Sequence, residues 1–199
     1  MIPRVIAIDG PAASGKSSTA AAVAAALEWT HLDSGALYRS LTWVAIDAGA
    51  TDPTAIIAAA NTRHVGVVPH GGHLDVHIDG VDDIEAAIRS AAVNARVATT
   101  AALPSLRAWV NAHQQRAIAD FGSIVIDGRD IGTVVVPDAP LKVFLTATAE
   151  ERARRRLRQR NDAIDPLFLA AETARLEERD RLDAARAAAP LRRAPDAVV

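Results

Sequence analysis

With 199 residues, half of them hydrophobic and 23% charged, the chain has the make-up of one medium globular domain, which excludes a disordered or fibrous polymer. A net charge of −2 excludes bulk electrostatic capture of nucleic acid or of an anionic membrane, so an anionic ligand must be held by local basic clusters. Cysteine is absent, which excludes disulfides and thiolate metal sites, and the longest apolar run, Ala20–Leu27, is too short to span a bilayer; the expectation is a soluble, cytoplasmic, monomeric domain.

In chain order, Val5–Ile8 is a short β-branched run that reads as a strand buried on both faces. Ser17–Glu28, alanine-rich and free of glycine and proline, reads as a helix. A second strand, Thr30–Leu32, runs into Asp33-Ser34-Gly35, and Leu37, Leu41, Val44 and Ala48 then fall at helical spacing until Gly49. Asp52-Pro53 is an N-cap followed by a proline in the first turn. Val65–Val68 and Leu74–Ile78, separated by a glycine-containing turn, predict a small antiparallel hairpin. Helices are expected at Ile84–Arg89, Ala91–Thr100, Pro104–Asp120, Ala149–Arg160 and Asp165–Leu182. Buried strands are expected at Ile124–Ile126 and Leu141–Leu145, with a last strand beginning at Ala197. Strand–helix alternation around an inserted β element predicts a three-layer α/β fold with a mostly parallel central sheet.

Gly10-Pro-Ala-Ala-Ser-Gly15-Lys16-Ser17 matches G-x-x-x-x-G-K-[ST] at every fixed position, after a predicted strand and at the start of a predicted helix. Glycines let such a loop curl so that its N–H groups point into one concavity, and the helix N-terminus adds positive potential. Lys16 is expected to bridge the β- and γ-phosphates of a nucleotide and Ser17 to offer its hydroxyl to Mg²⁺. The loop defines a nucleotide phosphate site without choosing a reaction.

Arginine placement narrows the choice. Asp33–Arg39 and Asp127-Gly128-Arg129-Asp130 both follow strands, at the sheet edge where open α/β folds bind ligands. Arg179, Asp183 and Arg186 are spaced to share a helix face, and Arg107 lies one turn into the helix opened by Pro104. Arg39, Arg107, Arg129, Arg179 and Arg186 are therefore expected to converge near the phosphate loop. The planar guanidinium fork donates paired hydrogen bonds to phosphate and keeps its charge. The arginine-dense stretch 151–160 reads as a helical lid, with Arg152 and Arg156 the expected phosphate-facing members. His70, His73 and His77 have the look of a metal cluster, but they lie in a hairpin beside a glycine pair, without a carboxylate placed to match, and no metal site is expected there.

Over nearly its whole length the chain resembles bacterial cytidylate kinases, through IDGPAASGKSS (8–18), LDSGALYR (32–39), IDGRDIGTVVVPDAPLKVFLTATAEERARRR (126–156) and EERDRLDAARAAAPL (177–191). The resemblance implies the P-loop kinase fold, with a core formed by 1–60, 100–150 and 166–199, a nucleotide-binding insert at 61–99 and a lid at 151–165. It implies transfer of the ATP γ-phosphate to CMP or dCMP with Mg²⁺. ATP is then expected on Gly10, Pro11, Ala12, Ala13, Ser14, Gly15, Lys16, Ser17 and Ser18. Ser34 would contact the cytosine with Tyr38 close by, and Arg39, Arg107 and Arg129 would grip the CMP phosphate. Asp130 and Arg179 would hold that phosphate or the base, Asp183 the sugar hydroxyl, and Arg186 would sit near the transferring group. The resemblance also implies a final strand and helix past Val199, where this chain stops as the strand begins. A kinase for another small acceptor would share the loop and a lid but needs no GRD-IGT stretch. A GTPase-like switch calls for an N-K-x-D stretch, and the only lysines are Lys16 and Lys142.

Overall fold

The structure, a computed structural model, describes residues 4–162 and 164–199. Six strands form one sheet in the order β3-β4-β2-β5-β1-β6: β1 (Arg4–Asp9), β2 (Thr30–Asp33), β3 (Gly66–His70), β4 (His73–His77), β5 (Ser123–Gly128) and β6 (Leu141–Phe144). Neighbouring pairs are parallel except β3 with β4. The hairpin is antiparallel, as its turn chemistry predicts, yet it is also the edge of the main sheet. His31 of β2 pairs with His73 and its N–H donates to Gly72 O at 2.9 Å, a long-range pairing that local pattern does not reveal.

Alternation along the central strands builds the three layers. Ile6, Ile8 and Val125 face α1 (Lys16–Leu27), meeting Ala20 and Ala24. Val5, Ala7, Ile124 and Ile126 face the other way, against Ala117 and Ile118 of α6 (Pro104–Phe121). The small alanines of α1 let that helix lie close on the sheet, which holds its N-terminus at the strand ends. A third cluster joins α2 (Ser34–Asp47), α3 (Pro53–Thr62), α4 (Ile84–Ile88), α5 (Ala91–Thr100) and α6 around Leu41, Ile56, Ile78, Ile88 and Val110. The last two helices, α7 (Ala149–Arg160) and α8 (Pro166–Ala184), lie against each other, with Ala153 and Leu176 packed on Ala12.

Helix starts follow the expected chemistry. Asp33, Asp52 and Asp165 each accept a hydrogen bond from a first-turn N–H of α2, α3 and α8, and Pro53 and Pro166 occupy first-turn positions. Three features bear on the sequence reading. Ile131–Val135 forms a π-helical turn, anchored by buried Asp9, whose carboxylate accepts from Ile131 N at 2.8 Å and Gly132 N at 2.7 Å. The terminal segment contributes a single parallel bridge, Val198 with Val143. Helix α8 ends at Ala184, short of Arg186.

Candidate active site

Strands β1, β2 and β5 end together, and the segments leaving them enclose a cleft of about 550 Å³. Its floor is the loop from β1 to α1. Gly10 is required there by close approach, since a Cβ would come within 2.1 Å of Leu145 O, and Gly15 turns the chain into α1 at φ 97°. Residues Ala12 to Ser18 line the cleft. Lys16 is buried, its ammonium donating to Pro11 O at 2.7 Å and lying 3.4 Å from Ser14 Oγ. Burial, followed by the charge of Arg129, pushes its pKa well below the usual lysine range. Ser17 Oγ donates to Asp127 Oδ2 at 2.7 Å, and the other oxygen of Asp127 is 2.8 Å from His31 Nε2. Asp33 stands beside this group, its pKa raised by burial and then by the charge of Asp127.

The opposite wall is cationic. Arg39, Arg129, Arg179 and Arg186 all line the cleft, with Tyr38, Ser34, Asp130 and Asp183. Arg39, Arg129 and Arg186 are held by side-chain partners. Arg39 donates to Asn94 Oδ1 at 2.7 Å, and Asn94 in turn donates to Arg89 O at 2.7 Å. Asp183 accepts from Arg129 Nε at 3.1 Å and pairs with Arg186. Arg186 thus reaches the site although it lies beyond the helix end. Ser34 sits against Gly128, where a Cβ would meet its hydroxyl at 2.6 Å. The buried Arg179 Nε and Tyr38 hydroxyl have no hydrogen-bond partner among the described residues. Burial, then the charges of Arg129 and Arg39, push the Arg179 guanidinium down to about 9. Burial pushes Tyr38 up to about 12. Several arginines crowded and partly desolvated on one wall, with one donor unmet, form an anion receptor.

Two expected arginines lie elsewhere. Arg107 pairs with Asp130 and donates to Ala101 O at 3.2 Å, under the ring of Tyr38 rather than on the cleft surface. Arg152 turns behind the phosphate loop, donating to Ala12 O at 2.8 Å and pairing with Asp180 at 2.6 Å. Arg152 is buried there. Arg155, Arg156 and Arg160 instead line the cleft, and Arg156 is steadied by Glu172 at 3.2 Å. Burial, followed by the charges of Arg175 and Arg160, pushes Arg156 down to about 10.

Sequence reasoning passed over Asp127 as a site residue, although it ends a buried strand at the ligand edge. Asp180 lies in the 177–191 stretch that carries the resemblance but is given no role there, and Arg89 and Asn94 carry no pattern to mark them. The hairpin histidines do have partners: His70 pairs with Asp75 at 2.9 Å, His77 with Asp79 at 2.7 Å, and His73 Nδ1 is 3.2 Å from His31 Nδ1. Those pairs are separate, and no group of three metal-ligating side chains converges among the described residues. Ser17 and Asp127 offer a hydroxyl and a carboxylate, hard oxygen donors that fit Mg²⁺ completed by phosphate oxygens and water.

A phosphate loop opening a helix on a three-layer α/β sheet, faced across one cleft by a wall of arginines, is the arrangement of a P-loop kinase. Comparison with known proteins gives the finer placement. The cytidylate kinase family model matches residues 6–199. The chain is 44% identical to the cytidylate kinase of Stutzerimonas stutzeri (strain A1501), over 98% of this chain and 86% of that protein. It is 43% identical to that of Mycobacterium avium (strain 104), over 98% and 86%, and 44% identical to that of Geobacillus kaustophilus (strain HTA426), over 97% and 86%. The chain belongs to the cytidylate kinase family, and it is a nucleoside-monophosphate kinase.

Proposed function

We propose that the protein transfers the γ-phosphoryl group of ATP to CMP and dCMP by direct in-line displacement. The observation that carries this reading is one cleft with two walls suited to phosphate, residues Ala12 to Ser18 of the loop on one side and Arg39, Arg129, Arg179 and Arg186 on the other. One wall alone would serve a nucleotide binder or hydrolase. Two are what bringing two polyanions together requires.

The acceptor oxygen belongs to a phosphate whose second pKa is about 6, so it is already ionised at neutral pH and needs no general base. The protein's part is then positioning and charge neutralisation. Lys16 and the loop N–H groups hold the donor phosphates. Arg39, Arg129 and Arg179 hold the acceptor phosphate, and Arg156 and Arg186 approach the transferring group. Ser34 and Asp130 read the base beside Tyr38, with Arg107 fixing Asp130. Asp183, steadied by Arg129 and Arg186, accepts from the sugar. Ser17 and Asp127 would hold Mg²⁺, which supplies charge neutralisation on the donor phosphates. Segment 61–99 closes over the acceptor, and 151–165 closes over the donor, excluding water. The described residues include no helix long and apolar enough to cross a membrane, and we place the enzyme, as a monomer, in the cytoplasm.

ADP release measured with ATP and Mg²⁺ against CMP, dCMP, UMP, AMP and dTMP tests the reading. Turnover with CMP and dCMP, lost in Arg129→Ala, is expected. Turnover confined to another acceptor would replace the cytidine assignment, and none at all from folded protein would end the kinase assignment.

A further inference from the structure

The phosphate loop is held from behind by two charged side chains that nothing in its motif specifies. Ala12 donates its N–H to Asp180 Oδ1 at 3.0 Å, and its carbonyl accepts from Arg152 Nη1 at 2.8 Å. Both polar groups of one loop residue are therefore taken by side chains from two different helices, α8 and α7. Asp180 and Arg152 also pair with each other at 2.6 Å, and Arg152 Nε donates to Ala147 O at 3.1 Å. Ala12 is buried and packs on Ala153 and Leu176 of the same two helices. The next residue, Ala13, has φ 59°, a left-handed conformation that an alanine keeps only where its surroundings impose it.

We propose that Asp180 and Arg152 are positioning residues that set the shape of the phosphate loop. By pinning the peptide groups on both sides of Ala12, they fix the turn at Ala13 and so aim the N–H groups of Ser14 to Ser17 into the cleft. A free loop would have to adopt the left-handed turn only when nucleotide binds, and its affinity would fall by the population of that shape. Asp180 also follows Arg179 directly and lies less than one turn before Asp183. Helix α8 therefore carries acceptor-wall residues on one side and the loop's anchor on an adjoining side. This inference rests on the kinase reading only in taking the loop as the ATP phosphate site.

The test is equilibrium binding of a non-hydrolysable ATP analogue, and separately of CMP, to wild type, Asp180→Asn and Arg152→Met. Hydrogen exchange of the 8–18 peptide is followed in the same ligand-free proteins. Both variants are expected to bind the analogue about tenfold more weakly, with CMP affinity held within about twofold, and to exchange faster across the loop. A side chain that merely supports the fold would lower thermal stability without separating the two affinities. Unchanged analogue binding and unchanged loop exchange in either folded variant overturns the proposal, as does an equal loss for both ligands. Because the readouts are binding and exchange, an inactive wild type would defeat the kinase reading while leaving this result standing.

Discussion

Ser17 and Asp127, 110 residues apart in sequence, meet through a 2.7 Å hydrogen bond at the mouth of the phosphate loop. The parallel register of β2 on β5 sets Asp33 opposite Asp127 on the neighbouring strand. In the proposed function a hydroxyl and a carboxylate so placed would hold Mg²⁺ on the donor phosphates. Asp127→Ala is expected to lower kcat/KM by about 100-fold, roughly 2.7 kcal/mol of transition-state stabilisation. CMP affinity measured by calorimetry should change little. An equal loss in CMP binding would mean that Asp127 serves the acceptor instead.

Arg107 and Asp130 form a buried ion pair beneath Tyr38. Removing one partner leaves an uncompensated charge, so Asp130→Ala is expected to cost about 3–5 kcal/mol in urea unfolding. The double variant Arg107→Met with Asp130→Ala should be more stable than Asp130→Ala alone. A double variant worse than both singles would show that the pair is not what the buried charge depends on.

Asp9 anchors the Ile131–Val135 turn, and burial, opposed by the N–H bonds from Gly132 and Ile131, raises its pKa to about 6. An acid raised in the fold favours folding most below its unfolded pKa and loses that contribution as pH climbs through the folded value. The stability gap between wild type and Asp9→Ala should therefore be widest near pH 4 and narrow by up to about 3 kcal/mol by pH 7.5. Unfolding curves at the two pH values check the sign, and a gap that widens with pH contradicts it.

The acceptor itself titrates. Its phosphate gains its second charge at about pH 6, and the wall proposed to hold it is arginine, which does not change charge there. The kcat/KM for CMP should rise roughly tenfold per pH unit below 6 and level off above it. A bell-shaped profile centred near neutrality would point to a general base and contradict this prediction.

Legibility in the sequence followed the range of the contacts. The loop from Gly10 to Ser18 was readable because its chemistry lies in consecutive residues between a strand and a helix. Arg129, Arg179 and Asp183 were readable because strand ends and helix spacing place them. Arg152 was misplaced because helical spacing gives its face but not the neighbour it meets, and Asp180 is about 28 residues further along the chain. The hairpin's attachment to β2 was hidden for the same reason: its turn is a local feature, while the His31–His73 pairing is not. Asp127 is placed by the sequence at the ligand edge, but its partners Ser17 and His31 are distant in the chain and only the fold brings them to its two oxygens.

The proposed reaction requires one cleft that holds donor and acceptor phosphates on separate walls. Its most direct test is a calorimetric titration of CMP into protein saturated with the Mg²⁺ complex of a non-hydrolysable ATP analogue. One CMP per chain, bound at least as tightly as to the analogue-free protein, is the predicted result. Displacement of the analogue by CMP would show that the two compete for a single phosphate site, and would contradict the account.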